Sequence, residues 1–305
     1  LPAGAECVVP YEETQRSDNV VTLSADAVRQ LTAGRNIHRQ GSDHPAGALL
    51  VASGTRLTGR EIAVAASCGY ASVPVAALPR IGLVATGDEL VEVAFPVAPH
   101  QIRRSNDAAL RAALLQAGYP QIESLHLRDI PAEIERGLHR LLTSCDLVII
   151  TGGVSKGRSD HIPATLASLG VNSWFHGVSQ RPGKPLWFGR SSRRTPVFAL
   201  PGNPVSCYTC LHQYVLPALR KASGQAPPPP TLLRLATAAE ALETLTRFTP
   251  VRVVTDDQGM PRAEPEPFNT SGDFAGLVGT DGYVELPPKA SPYPADHLVN
   301  FTRWT

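Results

Sequence analysis

Apolar positions along this chain follow two regimes. From Arg80 to Gly224, short apolar runs alternate with stretches whose apolar residues recur every three or four positions. That is the pattern of strands buried on both faces with helices packed over them. Ile81–Ala85, Ile122–Leu127, Leu147–Ile150 and Val197–Leu200 read as strands. A helix is expected through Ala108–Ala117, capped by Ser105 or Asn106 and ended by Gly118. Others are expected from Pro131 to about Leu142, over Ile162–Leu169, and from Pro204 to Gly224 with Asn203 as N-cap. In the last, Tyr208, Leu211, Val215 and Leu219 recur on one face. Strand–helix alternation with short loops predicts a doubly wound, mostly parallel α/β sheet.

The flanks look different. Residues 1–45 are polar and turn-rich, with β-like runs at Glu6–Pro10 and Val20–Leu23, as in the remnant of a β-rich domain. Residues 46–79 are expected to give a strand (Leu49–Ala52), a turn at Gly54, and a helix with Thr58 as N-cap and Gly69 past its end. Gln225–Pro230 is a proline-rich linker. Beyond it, Arg247–Thr255, Gly282–Leu286 and Leu298–Phe301 are strand-like runs separated by Pro and Gly, which fits a small all-β domain. The expected division is therefore 1–45, 46–79, 80–224 and 225–305.

Composition narrows the function classes. The 305 residues carry a net charge of +1, and aromatics make up 6%, so neither a nucleic-acid surface nor an anionic membrane is favoured as partner. No run of apolar residues is long enough to span a bilayer. Five widely spread cysteines suit a reducing cytoplasm better than a disulfide framework. Cys207 and Cys210 form a CxxC inside a predicted helix and are expected to be packing residues. P-loop, dinucleotide-fingerprint and zincin patterns are all missing.

The chemistry is carried by four loops at strand ends. Thr86-Gly87-Asp88-Glu89 puts two carboxylates after a buried strand, which suits a hard cation such as Mg²⁺ or a simple turn cap. In Thr151–Asp160 (TGGVSKGRSD), Gly152 and Gly153 can expose consecutive N–H groups to an anion, and Ser155, Lys156 and Arg158 add a hydroxyl and charge. Asp160 is a cap or a further carboxylate. Arg181-Pro182-Gly183-Lys184-Pro185 projects two cations from a rigid loop. Pro201-Gly202-Asn203-Pro204 delivers a helix N-terminus, whose free N–H groups favour an anion. Asp129, after the second strand, joins the carboxylates or caps the next helix. Such loops converge at the carboxyl ends of an open sheet, so a site for a phosphorylated ligand is expected.

On TGDEL (Thr86–Leu90), SND (Ser105–Asp107), RD (Arg128–Asp129), TGGVSKGRSD, RPGKP and LPGNPVS (Leu200–Ser206), the sequence resembles the molybdopterin molybdenumtransferase family, which includes the C-terminal domain of gephyrin. The likeness covers nearly the whole chain: Arg35–Gly47 is similar to the segment before the family's linker domain, and Gln258 onward, with Ser271-Gly272-Asp273, to its final β-barrel. The resemblance implies insertion of molybdate into adenylylated molybdopterin with Mg²⁺ and release of AMP. It implies that Asp43, Asp88, Glu89, Asp129 and Asp160 form the catalytic acids, with Asp88, Glu89 and Asp160 on the metal. Thr86, Gly87, Ser105, Asn106, Gly152, Gly153, Val154, Ser155, Arg181, Lys184, Pro201, Asn203, Pro204 and Ser271 would bind the pterin ligand. A homodimer and contact with the molybdopterin adenylyltransferase are also implied. The related adenylyltransferases share the α/β domain but usually carry Thr-Gly where Val154-Ser155 stand here.

Leu1–Thr14 is similar to the family just after its TGAP segment, and the only methionine is Met260. A preceding stretch bearing a further catalytic aspartate is therefore expected. Two outcomes stay open for this chain by itself: turnover, or pterin binding without turnover as in a carrier or scaffold module.

Overall fold

A computed structural model describes residues 1–154, 161–266 and 270–304. The chain divides into two compact units, Leu1–Ser53 with Leu57–Ala71, and Gly54–Arg56 with Ser72–Thr305. In the first unit β1 (Thr14–Ser17) pairs antiparallel with β2 (Val20–Leu23), and two helices follow, α1 (Ala25–Arg29) and α2 (Gly59–Ser67). The expected strands at Glu6–Pro10 and Leu49–Ala52 do not form. Both runs are short and flanked by turn residues, so their apolar content alone finds no partner strand.

The second unit contains the expected α/β sheet. Its elements are β3 (Ile81–Thr86), β4 (Leu90–Val91), β5 (Ile102–Arg103), α3 (Asn106–Gln116), β6 (Ile122–Leu127), α4 (Pro131–Ser144), β7 (Leu147–Thr151) and α5 (Ile162–Ser168). Then come β8 (Asn172–His176), β9 (Gln180–Arg181), β10 (Trp187–Arg190), β11 (Pro196–Leu200), α6 (Pro204–Cys210) and α7 (Leu216–Ala222). The strand order is β6-β3-β7-β11-β10-β8. The first four are parallel, and β10 runs antiparallel to both neighbours.

The apolar strands divide their side chains between two cores by the period of two. Ile81, Leu83 and Ile149 face α3, α6 and α7 through Leu110, Leu114, Cys207 and Leu219. Val84, Val148 and Ile150 face α4 and α5 through Ile134, Leu138 and Leu166. Both faces are thus covered, which explains why these runs are continuously apolar. Cys207 and Cys210 belong to the first core, and burial pushes the Cys210 thiol up to about 12.

The helix predicted to run unbroken to Gly224 is interrupted by a π turn at Leu211–Val215. Pro217 follows it and has no N–H for the Gln213 carbonyl, so the ladder must widen there.

The C-terminal strands β12 (Thr231–Leu235), β13 (Thr246–Thr255), β14 (Pro261–Pro265), β15 (Gly282–Leu286) and β16 (Leu298–Arg303) close in the order β12-β16-β15-β13-β14-β12. This five-stranded barrel encloses Leu235, Val251, Ala263, Val284 and Leu286. It is tied to the α/β sheet by β9, which pairs with β13, and by Tyr283 Oη donating to Gln213 at 2.6 Å. Among the described residues no helix is long and apolar enough to cross a membrane.

Candidate functional site

The chain leaves β3 for α3 and β6 on one side, then returns through α4 to β7 on the other side of β3. The order reverses there, so the loops after β3 and β7 diverge and leave a crevice at their carboxyl ends. Thr86 ends β3, is buried, and its hydroxyl donates to the Thr151 carbonyl at 3.4 Å. Beyond Thr151 the backbone turns through Gly152 and Gly153, at φ 90° and 66°. A Cβ on Gly152 would lie 2.8 Å from the Thr86 carbonyl, and one on Gly153 2.6 Å from Ile162. Only glycine lets the two loops approach this closely.

Two adjoining cavities of about 320 and 430 Å³ open here, sharing Thr86, Glu89, Gly152, Gly202 and Asn203 in their walls. Gly87, Asp129, Gly153, Val154, Pro185 and Pro201 complete the smaller one. The larger is walled by Arg104, Ser105, Asn106, Asp107, Pro204 and Gly272 among others.

Two predicted carboxylates, Glu89 and Asp129, wall the smaller cavity, and Asp88 is bonded to the backbone of Asp129. Asp88 Oδ1 accepts from the Asp129 N–H at 3.1 Å. Glu89 folds back so that its carboxylate would meet a Cβ on Gly87, while its carbonyl accepts from the Ile102 N–H at 2.8 Å. Arg128 donates to Glu133 at 2.5 Å, which holds its guanidinium above the ordinary value, and the negative charge of Asp88 adds a smaller share. Among the described residues no three His, Cys, Asp or Glu side chains converge as a metal cage. Asp43 lies in the first unit, 3.1 Å from His38 Nε2. Asp160 and Ser155 lie outside the described residues.

The helix starts at the crevice lack side-chain caps. Ser105 makes no side-chain cap bond to α3, and Asn203 makes none to α6. Asn203 instead donates to Ser271 Oγ at 2.9 Å, and Asn106 donates to the Gly202 carbonyl at 2.7 Å. The Ser271 carbonyl accepts from the Val205 N–H at 3.0 Å, which brings the barrel's SGD loop to the mouth.

Arg181 and Lys184 are placed differently from the other calls. Arg181 is exposed in β9, opposite Arg247, and neither it nor Lys184 lines the two cavities; Pro185 does. The loop is held from below: Gln180 donates to the Pro182 carbonyl at 2.9 Å, and a Cβ on Gly183 would meet Cys210 Sγ at 2.6 Å.

Sequence reasoning missed Arg104. Its guanidinium bridges Glu92 at 2.8 Å and Asp107 at 3.0 Å, fastening the β4–β5 flap to the start of α3. It missed two histidines as well: His126 Nε2 lies 3.1 Å from the Gly87 carbonyl, and His176 Nε2 3.0 Å from that of Val154. No local motif marks the two histidines, because their partners come from distant segments, and Arg104 has one partner three residues on and the other twelve residues back.

Three family profiles match in succession: the MoeA N-terminal region (domain I and II) over residues 1–69, a probable molybdopterin binding domain over 82–221, and the MoeA C-terminal region (domain IV) over 233–304. The molybdopterin molybdenumtransferase of Synechocystis sp. is 36% identical over 305 residues, which is 100% of this chain and 75% of that protein. The enzyme of the same name from Bacillus subtilis is 31% identical, over 98% of this chain and 70% of its own length. A molybdopterin biosynthesis MoeA protein from Pyrococcus horikoshii superposes with a TM-score of 0.80 at 27% identity, covering 100% of this chain and 73% of that one.

Proposed function

The chain belongs to the molybdopterin molybdenumtransferase family of molybdenum cofactor biosynthesis, and from that premise we propose that its crevice binds adenylylated molybdopterin and exchanges AMP for molybdate. The observation that carries this reading is the meeting, at one switch point, of glycine backbone, uncapped helix starts and carboxylates. The first two suit phosphate oxygens and the third a cation beside them.

The donor set fits Mg²⁺ in its usual mode, with one or two carboxylates and the rest from phosphates and water, rather than an all-protein cage. Asp88 and Glu89, with Asp129 beside them, are the residues that would hold it. The ion supplies Lewis-acid polarisation of the pyrophosphate that is cleaved. Gly153 offers its N–H to the pyrophosphate, the Gly152 N–H being donated to the Leu200 carbonyl at 3.2 Å, and the first turn of α3 faces it with its positive dipole end. Thr86 fixes the distance between the two glycine loops through Thr151. Lys184 and Arg181 carry positive charge beside the crevice and steer the anionic substrates toward it. By the family pattern, Asp43, Ser155 and Asp160 are proposed as further functional residues. A cytoplasmic homodimer that receives its substrate from the adenylyltransferase completes the reading.

The test is AMP release from adenylylated molybdopterin with molybdate, with and without Mg²⁺, against an Asp88→Ala control. Mg²⁺-dependent release that the control loses by about 100-fold or more is expected. Pterin binding without release by wild type would put a carrier in its place.

A further inference from the structure

Each glycine loop of the crevice has one carbonyl held by a histidine from a strand outside that loop. His126, next to the end of β6, faces the Gly87 carbonyl at 3.1 Å. His176, the last residue of β8, faces the Val154 carbonyl at 3.0 Å, although β11 and β10 separate β8 from β7. A carbonyl carries no proton, so both rings must donate from Nε2, and they can do so neutral or charged.

The first of these contacts has a directional consequence. In a trans peptide the C=O and the following N–H point opposite ways. Gly87 sits at φ 141°, where no Cβ resists rotation of the adjoining peptide. Holding its carbonyl toward β6 therefore turns the Asp88 N–H the other way, toward β7 and its glycines. The Leu90 N–H also reaches the Gly87 oxygen, but at 3.3 Å, so His126 is the closer donor. Among the described residues the Asp88 N–H donates to nothing, and its two chain neighbours, Gly87 and Glu89, both wall the smaller cavity.

We infer that His126 is a positioning residue that aims the Asp88 N–H at an anion in the crevice. The inference rests on the reading of the crevice as a pyrophosphate site and adds to it one backbone donor and the side chain that orients it.

Wild type, His126→Leu and His126→Gln are compared by amide and imidazole ¹⁵N resonances of the full chain, and by kcat and KM for AMP release. Glutamine keeps a donor at about the reach of Nε2, whereas leucine keeps only bulk. The wild-type ring is expected as the Nε2–H tautomer, and inorganic pyrophosphate is expected to shift the Asp88 amide. In His126→Leu that amide moves before any ligand is added and KM rises about 2- to 12-fold, the worth of one hydrogen bond, while kcat changes less. His126→Gln restores most of both. An Nδ1–H tautomer, an unmoved Asp88 amide, or glutamine behaving like leucine overturns the inference. Should resonances and pyrophosphate response come out as expected while wild type releases no AMP, the orienting contact stands and the enzymatic reading fails.

Discussion

The helix starts of the first unit and those around the crevice are built from the same residue types and finished differently. In the first unit Ser24 accepts from the Ala27 N–H at 3.1 Å, and Thr58 with Glu61 forms a complete capping box on α2. In the α/β sheet α3, α4, α5 and α6 start without a side-chain cap bond, although Ser105 and Asn203 stand in cap positions. Of the cap-type side chains, that of Asn203 is engaged with Ser271 and that of Ser105 makes no bond to the helix start. A cap contributes about 0.5–2 kcal/mol, so leaving one unmade is a real loss. The comparison teaches that side-chain caps are complete in the first unit and left unmade at the helix starts beside the crevice, where the proposed anion would sit.

The largest effect that could break this comparison is at Asp88. If the crevice is specialised for chemistry, Asp88→Ala lowers turnover by about 100-fold or more while the urea unfolding midpoint hardly moves. A midpoint that fell with the activity would make Asp88 a structural residue and remove the contrast. Gly152 comes next. A side chain there must adopt a strained φ of 90° with its Cβ 2.8 Å from the Thr86 carbonyl. Gly152→Ala is expected to lose about 1–3 kcal/mol of stability and to weaken pyrophosphate binding with it. An unchanged midpoint would mean the loops part easily and are not a preset cradle.

Thr58→Ala is the matching change in the first unit. It is expected to remove about 1 kcal/mol and to leave turnover alone. The pH dependence follows from Glu61, whose carboxyl is held below its ordinary value chiefly by the Thr58 hydroxyl, then by the Thr58 N–H. A depressed acid stabilises above its unfolded value and loses that contribution as pH falls through the folded one. The difference between wild type and Thr58→Ala should thus be full at neutral pH and shrink through the acidic carboxylate range. A difference that stayed constant there would show that Glu61 takes no part in the cap.

Much of this architecture was legible in the chain, for physical reasons. The runs at Ile81, Leu147 and Val197 had to be strands because both their faces are covered by helices. The glycine loops were legible because they follow those strands directly. What escaped notice lacks a local signal. All five residues of β8 are exposed, so NSWFH shows neither alternation nor an apolar run. The two-residue β9 exists only through its pairing with β13. In β14, proline at both ends of PRAEP reads as a break, yet the strand closes the barrel. His126 escaped for a related reason, since it acts on a partner 39 residues away that sequence spacing cannot bring near.

The smallest expected effect is the sharpest for the comparison. Ser105 stands at the N-cap of α3 with helical backbone angles, φ −98° and ψ −32°, and no side-chain bond to the first turn. A cap residue ordinarily has extended geometry, which is what aims its oxygen at the amides two and three residues on. Ser105 therefore adds little to the helix, and Ser105→Ala is expected to change stability by only a few tenths of a kcal/mol, within the range of ordinary surface substitutions. The same change should alter anion binding, because the hydroxyl lines the larger cavity. Urea unfolding and pyrophosphate titration of this one variant separate the two roles. A loss near 1 kcal/mol would mean that Ser105 does cap α3 in solution, and the contrast with Thr58 would disappear. A small loss together with weaker binding would mean that this serine is kept for the ligand and not for the helix.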